Sequence, residues 1–168
     1  MKQSLLIFLF AICACAASAQ FTAPSKTAFS IGAELTIPNY GIYSVGTGAS
    51  AKFEFPIAQP VSLSLTGNFT SVFYRNSILN QYGDSGADLF VPLKAGVKYY
   101  PIPSVYIEGE GGVALELNHT QRHLGAFSIG PGFIVPEGKG GLDIGLRYEA
   151  WEGQLKQTVI RFAYRFGL

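Results

Sequence analysis

The sequence predicts an all-β protein, an eight-stranded antiparallel up-and-down transmembrane β-barrel with a cleaved N-terminal signal peptide. First, the chain is 48% hydrophobic and 14% charged, with a mean hydropathy of +0.26, yet no apolar run reaches the roughly 18 to 20 residues that a membrane helix needs. Second, apolar residues beyond residue 20 recur at every second position, which is the period of strands. Third, charged residues are excluded from the apolar face of these strands.

Residues 1–19 have the pattern of a secretory signal peptide, a targeting segment that takes no part in the fold. Lys2 supplies the positive charge, residues 5–16 form the apolar segment, and residues 17–19 (Ala-Ser-Ala) form a small-x-small cleavage site. Residues 20–168 are therefore expected to form the barrel as one domain.

Both cysteines, Cys13 and Cys15, lie within this N-terminal segment. A lipoprotein signal with Cys15 as the lipidated residue is the alternative, although the site after Ala19 is better placed. Cleavage after Ala19 leaves a chain without cysteine, which excludes a disulfide, a thiolate metal site and a cysteine nucleophile.

Eight segments alternate between apolar and polar residues, and each has roughly the 9 to 11 residues of a membrane-crossing strand. In the first segment Phe29, Ile31 and Leu35 lie on the apolar face. Pro92 and Pro131 fall inside strands, where each removes a ladder hydrogen bond and predicts a bulge. The eight predicted runs are 28–37, 49–55, 61–69, 89–99, 105–117, 127–135, 142–150 and 160–168.

The connections differ in length and composition. Three are short and rich in proline or glycine, as tight turns are: 56–60, 101–104 and 136–141. The others are more polar, and the longest is 74–88. Short turns on one rim and longer loops on the other are typical of outer-membrane barrels.

The charged residues after residue 19 follow the strand register. Nine lie in the predicted connections or the N-terminal lead: Lys26, Arg75, Asp84, Asp88, Arg122, Glu137, Lys139, Glu152 and Lys156. A charge that faces lipid near the mid-plane costs roughly 2 to 4 kcal/mol, so their absence from the apolar face indicates a lipid-facing wall. The remaining thirteen share the polar face and predict an ion-pair network in the lumen: Glu34, Lys52, Glu54, Lys94, Lys98, Glu108, Glu110, Glu116, Asp143, Arg147, Glu149, Arg161 and Arg165.

A soluble lipocalin-like barrel would show the same alternation with the apolar face turned inward. Eight strands, however, close around an interior just wide enough for side chains or one small ligand. The large apolar residues of this chain would overfill that space, whereas the small and charged residues of the polar face fit as a compensated network. The composition of the two faces therefore favours the membrane barrel.

These features resemble the small OmpA/OmpX-type barrels, and more broadly the outer membrane protein beta-barrel domain family of Gram-negative bacteria. The most specific element is the last strand, whose apolar positions run to the C-terminus: Ile160, Phe162, Tyr164, Phe166 and Leu168. The resemblance implies that this strand is the signal read by the barrel-assembly machinery. The family usually ends in Phe or Trp, and this chain departs from it by ending in leucine.

No catalytic, cofactor or metal site is predicted. His119 and His123 are four residues apart, but a hairpin loop offers no helical face on which that spacing binds metal. Lipid A deacylases of the outer membrane use a histidine and a serine at the lipid-facing rim of the barrel. Here Ser128 lies on the inward face, and the His-x-Ser spacing of that family is absent. Glu108 and Glu110 share a strand face, and the basic residues across the lumen favour ion pairs over a catalytic carboxylate pair.

We therefore expect a monomeric, non-enzymatic integral outer-membrane protein of structural or surface-interaction type. The alternatives are a lipid-modifying enzyme of the lipid A deacylase kind, a small channel and a soluble lipocalin-like binding barrel. The net charge of +1 gives no basic surface for nucleic acid. The expected partner is outer-membrane lipid, and the 74–88 loop is the candidate contact for an extracellular partner.

Overall fold

The computed structural model describes residues 26–39, 41–75, 86–118, 122–152 and 155–167, which form a closed barrel. Each strand pairs antiparallel with its neighbours in the chain, and β1 pairs with β8 to close the wall. The predicted all-β, eight-stranded antiparallel barrel is confirmed, while the predicted signal peptide, 1–19, lies outside the described residues. The strands are β1 (Ala28–Pro38), β2 (Tyr43–Ala58), β3 (Val61–Tyr74), β4 (Ala87–Ile102), β5 (Val105–Glu116), β6 (His123–Glu137), β7 (Gly140–Trp151) and β8 (Leu155–Gly167).

The two rims differ as the sequence predicts. Residues 59–60, 103–104 and 138–139 make two-residue turns on one rim, which we call the turn rim, and both chain ends of the barrel lie there. Gly138 has a φ of 58°, a backbone conformation that favours glycine over residues with a side chain. The strand ends that the other connections join lie at the opposite rim, the loop rim. Within the described residues, no helix is long and apolar enough to cross a membrane.

Neighbouring residues of one strand have opposite environments. In β4, Leu93 faces outward and is 48% exposed, whereas the next residue, Lys94, faces the lumen and is 4% exposed. The same alternation runs through the strands around the barrel, because successive side chains of a strand point to opposite faces. The wall is thus apolar outside and polar or charged inside.

Three charges lie elsewhere than the sequence predicts. Asp88 is not in the long connection but in β4, where its side chain is buried in the lumen. Glu137 and Lys156 belong to the ends of β6 and β8, where they are exposed on the outward register at the turn rim and the loop rim. Hydrophobic periodicity does not show where a ladder ends, so these residues at strand ends fall in predicted connections.

The predicted bulges at Pro92 and Pro131 are wrong. The register shifts lie elsewhere, in β2 between Tyr43 and Gly46 and between Pro56 and Ala58, and in β4 between Tyr99 and Ile102. Each proline instead interrupts the ladder on one side only, without changing the register.

Pro92 pairs with Ala114 of β5, but the β3–β4 ladder lacks two successive pairs there, between Gly67–Leu93 and Thr70–Phe90. A proline has no N–H to donate, so pairing with one neighbouring strand is lost at this position while pairing with the other strand is kept.

Candidate functional site: the charged lumen

The structure places all thirteen charged side chains of the predicted network inside the barrel. Each of these residues is at most 9% exposed: Glu34, Lys52, Glu54, Lys94, Lys98, Glu108, Glu110, Glu116, Asp143, Arg147, Glu149, Arg161 and Arg165. Buried charges are tolerated only when paired and hydrogen-bonded, so the network's connections decide whether this interior is stable.

Arg161 of β8 joins strands on both sides of the closing seam. Its Nη2 donates to Ser30 Oγ of β1 at 2.8 Å, and its Nε donates to Ser50 Oγ of β2 at 2.8 Å. Its Nη1 donates to Asp143 Oδ2 of β7 at 3.2 Å. One guanidinium therefore links β7 and β8, at one end of the sheet, to β1 and β2 at the other end. These two ends pair only when the barrel closes.

Arg147 makes a second link across the lumen. Its Nη1 and Nη2 donate to the two carboxylate oxygens of Glu34 on β1, at 3.1 and 2.8 Å, and its Nε donates to Glu149 at 2.9 Å. Lys94 of β4 donates to the same Glu149 at 2.9 Å. A bidentate arginine–carboxylate pair fixes orientation as well as charge.

The two glutamates of β5 are bound by lysines of other strands. Lys52 of β2 pairs with Glu108 and, at 3.2 Å, with Glu110. Glu110 also lies 3.4 Å from Lys94 Nζ and accepts hydrogen bonds from Thr66 and Ser128. The carboxylates are thus part of the ion-pair network, with basic partners on β2 and β4.

A third group of ion pairs lies toward the turn rim. Lys98 Nζ lies 3.2 Å from Glu54 and 3.5 Å from Asp143, and Arg165 lies 3.3 Å from Glu54. Tyr100 donates its hydroxyl to Glu54 at 2.6 Å. The carboxylate of Glu54 is therefore held by two cations and a phenol.

The charges of the central network balance. Six cations (Lys52, Lys94, Lys98, Arg147, Arg161 and Arg165) face six carboxylates (Glu34, Glu54, Glu108, Glu110, Asp143 and Glu149). The other two buried carboxylates are bound separately near the loop rim. Glu116 lies 3.2 Å from Arg122, whose side chain is 65% exposed, and Asp88 accepts the hydroxyls of Tyr43 and Tyr74 at 2.6 and 2.7 Å.

Inward-facing glycines lie opposite the long charged side chains, a feature that the sequence analysis missed. A Cβ at Gly112 would overlap the carbonyl oxygen of Leu93, so the space beside the Lys94 backbone is available only to glycine. The sequence contains a signal for these pairs, because the glycines and the charged residues both occupy the alternate strand positions that face the lumen. Recognising which glycine lies opposite which charge requires the register between neighbouring strands. The pairs are Glu34–Gly48, Lys94–Gly112, Glu110–Gly96, Glu108–Gly130, Arg161–Gly145 and Arg165–Gly141.

Apolar clusters lie toward both ends of the lumen, which the sequence analysis also missed. Near the loop rim Phe90 packs against Trp151, with ring centroids 4.8 Å apart, in a buried cluster that includes Val72 and Leu155. Toward the turn rim Tyr100, Tyr106 and Ile134 form a smaller cluster. Trp151 lies two residues after Glu149 and therefore faces the lumen as well, which is the sequence signal for the first cluster.

Among the described residues, those considered for enzymatic chemistry are not assembled into a site. His123 is exposed at the start of β6, and His119 lies outside the described residues. Ser128 is buried in the lumen and donates to Glu110 at 3.0 Å, away from any rim. In the described part of the chain, no group of three or more His, Cys, Asp or Glu side chains is placed to hold a metal ion.

The apolar positions of the predicted assembly signal lie on the outward face of β8. Phe162, Tyr164 and Phe166 are exposed, Ile160 is half-buried, and Leu168 lies outside the described residues. A row of rings continues from this strand across the seam, with centroid distances of 4.8 Å (Tyr164–Phe166), 6.3 Å (Phe166–Phe29) and 4.8 Å (Phe29–Phe53).

A closed eight-stranded antiparallel barrel that is apolar outside and charged inside has the architecture of small outer-membrane β-barrels. Solved structures of this class are similar to the chain. The crystal structure of Ail, the attachment invasion locus protein of Yersinia pestis, has a TM-score of 0.58 at 18% identity and covers 84% of this chain and 98% of its own.

Two further structures match. The backbone structure of Ail from Yersinia pestis in a phospholipid bilayer nanodisc has a TM-score of 0.56 at 13% identity, covering 86% of this chain and 100% of its own. A de novo designed transmembrane β-barrel has a TM-score of 0.51 at 10% identity, covering 88% and 100%. No protein-family model and no curated protein matches the sequence. At these identities the likeness shows the fold.

Proposed function

We propose that this chain is an integral outer-membrane protein with a structural or surface-interaction role and no catalytic activity. In this proposal residues 1–19 direct export and are removed, and the barrel-assembly machinery reads the C-terminal strand. Residues 20–168 then reside in the outer membrane as a monomer.

The observation that carries the proposal is the separation of the two faces of the wall. The outward face exposes large apolar residues such as Ile31, Leu93 and Phe127, while the thirteen network charges are buried inside. In water such an outward face would be a very large exposed apolar surface, which soluble monomers avoid. In a bilayer the same face is satisfied by lipid, so the separation supports membrane residence over a soluble lipocalin-like barrel.

The contents of the lumen favour a structural role over a channel. An eight-stranded barrel has room inside for little more than its own side chains. Here the middle is occupied by the balanced ion-pair network, and the ends by the clusters around Trp151 and Tyr106. These contents support the proposal that no continuous water path runs through the barrel.

The loop rim is the part of the molecule available for contacts outside the cell. β3 ends at Tyr74 and β4 begins at Ala87, so the predicted 74–88 loop is shortened to residues 75–86, most of which lie outside the described residues. We propose this loop as the contact for an extracellular partner.

Membrane residence is tested by expressing the full chain in a Gram-negative host and separating the membranes. We expect the protein in the outer-membrane fraction, resistant to carbonate extraction, with its N-terminus at Gln20 by mass spectrometry. Recovery as a soluble monomer without detergent would contradict the proposal.

The absence of a channel is tested on the refolded protein, and the absence of catalysis on cells that express the chain. We expect no steady current in planar bilayers and an unchanged lipid A mass spectrum on expression of the chain. A steady current would support the channel alternative instead. A deacylated lipid A species that disappears in the His123→Ala variant would support the lipid-modifying enzyme.

A further inference from the structure

The wall between β6 and β7 has a local interruption. The register runs through Ile129–Tyr148 and resumes at Gly132–Gly145 without a shift, so two successive pairs between them are missing from the ladder. Pro131, which has no N–H to donate, lies in this gap. The wall is therefore less tightly paired here than at the neighbouring positions of the same strands.

A small cavity lies behind the interruption. Its volume is about 10 Å³, and its polar lining includes Lys52, Glu108, Ser128, Arg147 and Arg161. Glycines at 130 and 145 form part of its wall, so no side chain from these positions fills it.

One buried carboxylate oxygen in this lining has no protein partner. Glu108 is 8% exposed, and its Oε2 accepts from Lys52. Its Oε1 is buried and accepts no hydrogen bond from the protein. Leaving an ionised acceptor buried and unsatisfied costs more than leaving a neutral one, so a donor is expected at this oxygen.

We propose that the cavity is a binding site for one water molecule, which donates a hydrogen bond to Glu108 Oε1. A cavity of this volume admits about one water, and a buried water needs two to four polar partners, which this lining provides. Arg161 makes three hydrogen bonds to Ser30, Ser50 and Asp143, and a guanidinium carries five N–H donors. The water can thus accept from a guanidinium while it donates to the glutamate.

The charges around the cavity select water rather than a metal cation. Glu108 and Glu110 already share Lys52, and the six cations of the central network match its six carboxylates. An added cation would leave the interior with an uncompensated positive charge, which is strongly unfavourable in a low-dielectric lumen. A neutral ligand that both donates and accepts satisfies Glu108 without disturbing this balance.

The proposal is tested on the refolded full-length barrel. A crystal structure that resolves ordered water should show one water within hydrogen-bond distance of Glu108 Oε1. Water-to-amide NOE and ROE cross-peaks of opposite sign should appear at amides that line the cavity, such as Gly130. Absence of density and of cross-peaks would overturn the proposal, as would anomalous density for rubidium at this position in crystals soaked in rubidium chloride.

A matched pair of glycine substitutions separates this water from general hydration. A Cβ at Gly145 would meet only the hydroxyl oxygen of Tyr106, at 3.2 Å, so Gly145→Ala places a methyl group in the cavity without a backbone clash. A Cβ at Gly109, on the outward face of β5, would meet nothing within 4 Å. We expect the cross-peaks to be lost in Gly145→Ala and retained in Gly109→Ala. Their persistence in Gly145→Ala would contradict the assignment.

Discussion

The outward and inward faces of this barrel are built from alternating residues of the same strands, yet they obey opposite rules. In the proposed membrane setting, Leu93 and its neighbours on the outside need only be apolar, because lipid adapts to their shape. Inside, Lys94 must meet Glu149 and Glu110 at defined distances, and Gly112 must lack a side chain beside it. On the outside, any substitution that keeps the side chain apolar should therefore be tolerated. Inside, a substitution should be tolerated only when it preserves both the geometry and the charge.

The largest effect is expected at the residue that ties the seam. Arg161→Met removes the hydrogen bonds to Ser30, Ser50 and Asp143 and leaves a buried carboxylate short of its partner, which should cost about 3 to 5 kcal/mol of unfolding free energy. Urea unfolding in lipid vesicles measures this loss. Lys156→Met removes an exposed cation from the same strand and should change stability by less than about 0.5 kcal/mol. Equal losses in the two variants would show that the network is not what stabilises the barrel.

A charge on the outward face is the next largest perturbation. Leu93→Arg places a guanidinium against lipid, which should cost roughly 2 to 4 kcal/mol and reduce the yield of inserted protein. Leu93→Met keeps the side chain apolar and should insert normally. Insertion yield is measured by the heat-dependent shift in electrophoretic mobility of the folded barrel. Normal insertion of Leu93→Arg would mean that the outward face does not contact lipid.

Two adjacent glycines of β5 test the contrast at the level of one methyl group. A Cβ at Gly112 overlaps the backbone of β4, whereas a Cβ at Gly111 meets nothing within 4 Å. Gly112→Ala should destabilise the barrel by about 1 to 3 kcal/mol through overpacking, and Gly111→Ala should be close to neutral. Both changes in unfolding free energy are measured by the same urea titration. A larger loss for Gly111→Ala than for Gly112→Ala would mean that the inward and outward faces are assigned the wrong way round.

The smallest effect is expected for the ring contacts across the seam. Phe29→Leu keeps the outward face apolar but removes the contacts with Phe53 and Phe166, which should cost about 0.5 to 1.5 kcal/mol. A double-mutant cycle with Phe166→Leu isolates the coupling between the two rings. Additive losses, without coupling, would show that the rings contribute only apolar area.

The in/out assignment of the strands could be predicted from sequence because side-chain direction has a strict period of two. That period alone places Lys98 and Arg161 in the lumen and Leu93 outside. It does not report where pairing ends, so Asp88 and Lys156 were assigned to connections although β4 and β8 include them. It also does not reveal which residues lie opposite each other on different strands. The pairing of Gly112 with Lys94, and the aromatic contact of Trp151 with Phe90, therefore emerge only from the closed barrel.

Tryptophan quenching shows whether lipid contacts only the outward face. The chain has a single tryptophan, Trp151, which is buried at the loop-rim end of the lumen. Quenching by lipids brominated along the acyl chain is measured for the natural protein and for a Trp151→Phe, Leu93→Trp double variant. We expect weak quenching of Trp151 and strong quenching of the tryptophan at position 93. Equal quenching at the two positions, or stronger quenching of Trp151, would contradict this expectation.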